Sequence, residues 1–223
     1  MQTSHPIKLF GAFLGLTIFS VTFYHRDVRP RVSSCPPSAT VGGQLCRGKM
    51  PKPLLEKAWG QMGAIAYQAA AQVIESNNTR PQPLDETQKQ FLRPYFGDLV
   101  DRVEVVYDAT LMEDWVAASF KINVGQSNAQ VYGNKIYIKQ PYQPGDLQQI
   151  VLLAHELTHC QQYEQLGSLG KFGYEYFKEY KKANENYRDN KLEQEAFTLE
   201  KEFARWLSEQ IQTHDRGHHY HSH

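Results

Sequence analysis

Residues 155–159 read His-Glu-Leu-Thr-His, and no other stretch constrains the chain as strongly. Residues four apart on a helix share a face, so His155 and His159 can point their imidazoles at one ion. Zn²⁺ suits such nitrogen donors, and three protein ligands plus water make a catalytic site. Glu156 projects beside the ion, where it can hold a water and take its proton as general base. The preceding residues 150–154, Ile-Val-Leu-Leu-Ala, are continuously apolar, as in a helix running through a core. Two imidazoles and a carboxylate against such a face are costly unless something satisfies them. The competing reading has both histidines hydrogen-bonded within the core. Asp146 and Gly167 bracket the helix as N-cap and C-terminal stop.

A third ligand is needed, and the helix opened by Asn190 offers Glu193 and Glu195. Residues two apart lie roughly 200° apart around a helix, so only one of them can face the ion. Leu192, Leu199, Phe203, Trp206 and Leu207 mark the buried stripe, and Glu195 falls nearer to it. The expected metal set is therefore His155, His159 and Glu195, with Glu193 as the alternative. Glu200 and Glu202 read as surface. Tyr174, Tyr176, Tyr180 and Tyr187 lie between the two helices, and none is singled out as an oxyanion donor.

The rest of the chain reads as α+β. Apolar residues recur at three- and four-residue steps over 51–76 (Leu54, Leu55, Ala58, Met62, Ile65, Ala66, Ala69, Val73), predicting a helix. A short helix over 86–96 follows, with Asp85 as N-cap. Segments 102–109, 115–123, 129–133 and 134–140 alternate and predict three or four mostly antiparallel strands, with Gly133-Asn134 as a hairpin cue. From Asp146 onward the pattern is helical. The end, HDRGHHYHSH, is a histidine-rich tail (214–223), read as adventitious metal binding with Gly217 breaking any helix.

Ahead of this domain (51–213) come a targeting segment (1–30) and a linker (31–50). Lys8 precedes sixteen uncharged residues, 9–24, which predict a signal peptide or an uncleaved signal-anchor. The protein is thus expected to be membrane-anchored, or secreted or periplasmic. Cys35 and Cys46 flank a Pro/Gly/Ser-rich stretch. A bridge between them is favoured over a free Cys35 thiolate capping the metal. Lys+Arg and Asp+Glu are both 24, so there is no global field to draw in nucleic acid.

HELTH followed by a helix bearing a glutamate resembles the gluzincin branch of zinc peptidases. More narrowly, HELTHCQQYEQLG, FGYEYFKEY and the N-x-L-E-Q-E-A segment at 190–196 resemble a bacterial group of metallopeptidase domains. That group is found in exported proteins and in the core domain associated with extracellular contractile injection systems. FGDLVDRVEVVYDA, NKIYIK and PYQPGDLQQIVLLAHELTH extend the resemblance over about 96–203. It implies a zincin-like fold: a small antiparallel-rich sheet on an active-site helix, then a helical C-terminal part. It also implies a strand edge along the cleft that pairs with extended substrate, for which NKIYIKQ is the candidate. Many gluzincins place an Asp four residues after the glutamate ligand to orient a histidine. Here those positions hold Phe197 and Leu199.

The function expected is zinc-dependent hydrolysis of a peptide or protein substrate, with Glu156 as general base. Two rivals are a zinc-stabilised binding module without catalysis, and an effector-like protease with one specific partner.

Overall fold

The computed structural model describes residues 35–112 and 128–219, with side chains as far as 212. The apolar run 9–24, the expected strand at 115–123 and the side chains of the histidine-rich tail lie outside this set. Among the described residues, no helix is long and apolar enough to cross a membrane.

Helix α1 (Val41–Cys46) sits inside a loop closed by a Cys35–Cys46 disulfide, with Cα atoms 5.8 Å apart. Cys35 is therefore not a free thiolate. Helix α2 (Lys52–Asn77) follows, then the two-residue strand β1 (Gln82–Pro83) and helix α3 (Glu86–Phe96). Asp85 caps α3 in a full capping box with Gln88. A 3₁₀ turn (Gly97–Asp101) leads to β2 (Glu104–Val106), then β3 (Ala129–Tyr132) and β4 (Lys135–Ile138). Three α-helices complete the described chain, α4 (Leu147–Leu166), α5 (Leu169–Lys182) and α6 (Lys191–His219), with a 3₁₀ turn (Tyr187–Asp189) between the last two. α6 continues through Gly217, because one glycine costs a helix only about 1 kcal/mol.

The sheet order is β1-β2-β4-β3, and the sheet is mixed. β3 and β4 form the expected hairpin, with Gly133 at φ 70° in its turn. β2, however, pairs with β4 in parallel, Val105 opposite Ile136. Alternation in each strand fixes which face is buried but not which neighbour it takes. One sheet face packs on α3, α4 and α6 through Val105, Val131, Ile136, Leu153, Leu157 and Phe203. The opposite face carries Val106 and Tyr137 and meets Ala70 and Ile74 of α2. α4 is thus buried under the sheet, which explains its unbroken apolar lead-in.

α2 forms where its periodicity predicts, but a different face is buried. Gly60, Gly63, Ala66, Ala70, Ala71 and Ile74 face inward, whereas Leu54, Met62 and Ile65 are exposed, Ile65 by 72%. The inward face is selected by close approach to α5: a Cβ on Gly173 would lie 2.5 Å from Tyr67 Cβ and 2.6 Å from Gly63 O. Large side chains on that face would hold the two helices apart.

Candidate metal centre

α4 brings His155, Glu156 and His159 together at one level of the core, all three buried. Its ends are fixed as the sequence predicts. The Asp146 side chain accepts from Gln149 N–H, and Gly167 takes the left-handed conformation that stops the helix. α6 packs alongside, entered through Asn190, which is fully buried. The Asn190 side chain accepts from Leu192 N–H and donates to Tyr176 O.

The carboxylate that α6 delivers is Glu193, at 2% exposure. Its Oε2 lies 3.4 Å from His155 Nε2 and 3.5 Å from His159 Nε2. One donor atom from each residue falls within 4.8 Å of the others. Glu195, the expected ligand, is absent from this group. It is exposed, accepts from Gln162 Nε2 and pairs with Lys191. The reason lies in the stripe. The buried residues of α6 are Leu192, Glu193, Ala196, Phe203 and Leu207, while Leu199 and Trp206 are only half-buried. Adding Ala196 and demoting Leu199 and Trp206 rotates the inward face toward Glu193.

Both imidazoles are oriented from behind. His155 Nδ1 lies 2.8 Å from Glu200 Oε2, a carboxylate that can only accept, so Nδ1 carries a proton and Nε2 is the nitrogen turned toward the centre. Glu200 is therefore no mere surface residue. Its side chain, one-third exposed, takes the place of the Asp that the resemblance leads one to expect. Phe197 packs its ring against His155 instead. His159 Nδ1 lies 2.9 Å from Gln162 Oε1. The Gln162 amide cannot be turned round, because its Nε2 donates to two acceptors, Leu192 O and Glu195 Oε2. So His159 also presents Nε2. Glu193 is held by Tyr176, whose hydroxyl donates to Oε1 at 2.6 Å. Sequence reading missed Gln162 and Glu200. Each had a positional signal: Gln162 is three residues beyond His159, and Glu200 is two helical turns beyond Glu193.

These residues fit a bound cation. Glu193 Oε2 is buried with no hydrogen-bond partner, although an orphaned buried carboxylate oxygen is costly. A tetrahedral ion with ligand bonds of about 2.0–2.1 Å holds its donors roughly 3.4 Å apart. The two Nε2-to-Oε2 separations match that spacing. Without a metal, protons on the histidines face the same carboxylates. Burial disfavours a charge on His155, but Glu193 and Glu200 outweigh it and raise its pKa to about 10. Burial would also raise Glu193, yet His159 and His155 drive it well below the usual carboxylate range. Glu156 is raised chiefly by burial, against the pull of the two histidines.

A cavity of about 130 Å³ opens beside the group and is lined by His155, Glu156, His159 and Glu193. Its remaining wall comes from α2 (Ala66, Tyr67), β3 (Val131), α5 (Phe172, Tyr176) and Tyr187. Burial first, and then Glu193, pushes the Tyr187 phenol far above its usual range. Tyr174 and Tyr180 do not line the cavity; Tyr180 packs near Trp59 instead. NKIYIKQ is not the cleft edge. β4 is interior to the sheet, and the outer strand beside the cavity, among the described residues, is β3.

Fold and site together define an α+β domain whose buried His-His-Glu group is able to hold a metal ion. Within it, residues 83–167 match the eCIS core domain family, a stretch that runs from β1 to the C-cap of α4 and contains both histidines and Glu156. No curated protein and no solved structure matches the chain.

Proposed function

We propose that this protein is a zinc-dependent peptidase of the gluzincin type, with His155, His159 and Glu193 as ligands and Glu156 as general base. The observation that carries the reading is the orphaned Glu193 Oε2 between two Nε2 atoms, with Glu156 beside them on the same cavity wall. A donor set of two imidazoles and one carboxylate suits zinc and leaves a coordination position open. When bound, zinc supplies Lewis acidity and brings the pKa of water down to about 7. Glu156, made more basic by burial, takes the proton of the attacking water and delivers it to the departing amine. Gln162, Glu200 and Tyr176 keep the ligands aimed while this happens.

Glu156→Gln tests the reading. The variant is expected to bind zinc at the wild-type ratio and to lose about 10³-fold in hydrolysis of a peptide library, within the range for a positioned base. Wild-type protein that hydrolyses nothing faster than Glu156→Gln would sink the enzyme reading. The rival zinc-stabilised module would then stand; it draws support from the near-complete burial of the ligands, since structural zinc sites are closed. Export or membrane attachment through residues 9–24 belongs to the same proposal. The Cys35–Cys46 disulfide supports it, because such bonds persist in oxidising compartments. Cell fractionation of the full chain checks it, and a protein found only in the cytosol would refute it.

A further inference from the structure

A peptidase must admit an extended chain to its metal, yet the ligands here are between 2% and 6% exposed and the space beside them is about 130 Å³. The covering element is identifiable. α2 runs along the far face of the sheet and around the β3 edge, and it contributes Ala66, Tyr67 and Ala70 to the cavity wall. The Tyr67 hydroxyl donates to Val131 O, a carbonyl of the outer strand. Its phenol is also close enough to Glu156 and Glu193 for their charges to raise its pKa further, after burial itself. Tyr67 thus occupies a backbone acceptor on the one described strand that faces the centre.

The way α2 is held sets how it would have to leave. Its fully buried residues are mostly Gly and Ala, with Ile74 the only large one, while Trp59, Tyr67 and Val73 are half-buried against α5 and the sheet. Its outer face is apolar too (Leu54, Met62, Ile65), so amphipathicity does not bind it to one partner. Its C-terminal end is pinned. Asn78 donates to Ile74 O and Thr110 O and accepts from Thr110 N–H, and Glu75 pairs with Lys135. Because that end is fixed and α2 is closely packed on α5 over the rest, the helix leaves only by swinging about that end. It also lies outside residues 83–167, the segment shared with the eCIS core domain family.

We infer that α2 is an intramolecular cover over the metal centre, and that an extended peptide reaches the centre only when α2 leaves the β3 edge and α5. The inference deepens the peptidase reading, on which its peptide substrate rests. Its test needs neither metal nor activity. The full chain, stripped of metal, is exposed to hydroxyl radicals, and oxidative labelling of His155 and His159 is followed by mass spectrometry. Gly63→Leu wedges α2 off α5, where an added Cβ already collides with Phe177. Tyr67→Phe removes only the bond to Val131 O. Cys160, buried in the core at 0% exposure, reports global unfolding through its reaction with a thiol reagent.

The expected result is at least a tenfold rise in histidine labelling for Gly63→Leu and a two- to threefold rise for Tyr67→Phe, with Cys160 still protected. If Gly63→Leu exposes Cys160 as well, Tyr67→Phe decides. Unchanged histidine labelling, while amide exchange across 52–77 quickens, would overturn the cover. Faster labelling in variants that hydrolyse no peptide would leave the cover standing and remove the peptidase reading; hydrolysis by wild-type protein with unaltered labelling would do the reverse.

Discussion

Glu193 and Glu195 differ in position by two residues and in environment almost completely. Glu193→Ala is expected to abolish stoichiometric metal, and Glu195→Ala to leave the ratio near one per chain; elemental analysis of dialysed protein reads both. Retention of metal by Glu193→Ala would refute the assignment. Glu200→Gln is predicted to weaken metal affinity by about 10- to 100-fold, the usual effect of removing a partner that fixes a ligand imidazole. The sequence displayed His155, Glu156 and His159 because their relation is local: one helical turn sets it, whatever packs around. Glu193 comes from another helix, and its role depends on how α6 is rotated against α4. That rotation turns on Ala196, a small buried residue that a search for large apolar side chains passes over. Glu200 shares the inward face with Glu193, Ala196 and Phe203, but its partner His155 is 45 residues away.

Helix ends were legible at the level of elements for the same reason of locality. Asp85, Asp146 and Gly167 act on their own backbone neighbours, and each sits where its chemistry predicts. The face of α2 was not legible, because two readings of its wheel compete and the partner chooses. Spacing credits Leu54, Met62 and Ile65, while the surface of α5 accepts Gly60, Gly63 and Ala66. Sheet order failed similarly, since β2 joins β4 through contacts its alternation does not encode. The α2–α5 approach is tight enough to test with one methyl group. Gly173→Ala should destabilise the protein by about 1–3 kcal/mol, the usual cost of overpacking. Urea denaturation would show a lower midpoint with an unchanged slope. A midpoint equal to wild type would mean that the helices stand further apart than described.

Across the whole molecule, the centre joins two parts of the chain: the two histidines lie within the family-matched segment, and Glu193 lies beyond it on α6. A metal there binds the folded chain far better than the unfolded one, so it stabilises by linkage, about 4 kcal/mol at a thousand times the dissociation constant. For a chain of this length that corresponds to a rise of roughly 10 °C in Tm. The pH dependence should separate the two states. In the metal-free chain the His155 pKa is raised from 6.5 to about 10, because Glu193 and Glu200 outweigh burial. A raised pKa contributes stability that is fully present below about 6.5 and is lost as pH climbs toward 10. Metal requires the opposite state, with both Nε2 atoms unprotonated, so its binding releases protons and strengthens as pH rises. The Tm difference between zinc-loaded and chelated protein is therefore expected to widen steadily from pH 5.5 to pH 9, through gain on one side and loss on the other. Differential scanning fluorimetry at matched ionic strength measures it. A gap that stays constant or narrows would mean that the ion is not held by His155 and His159 at all.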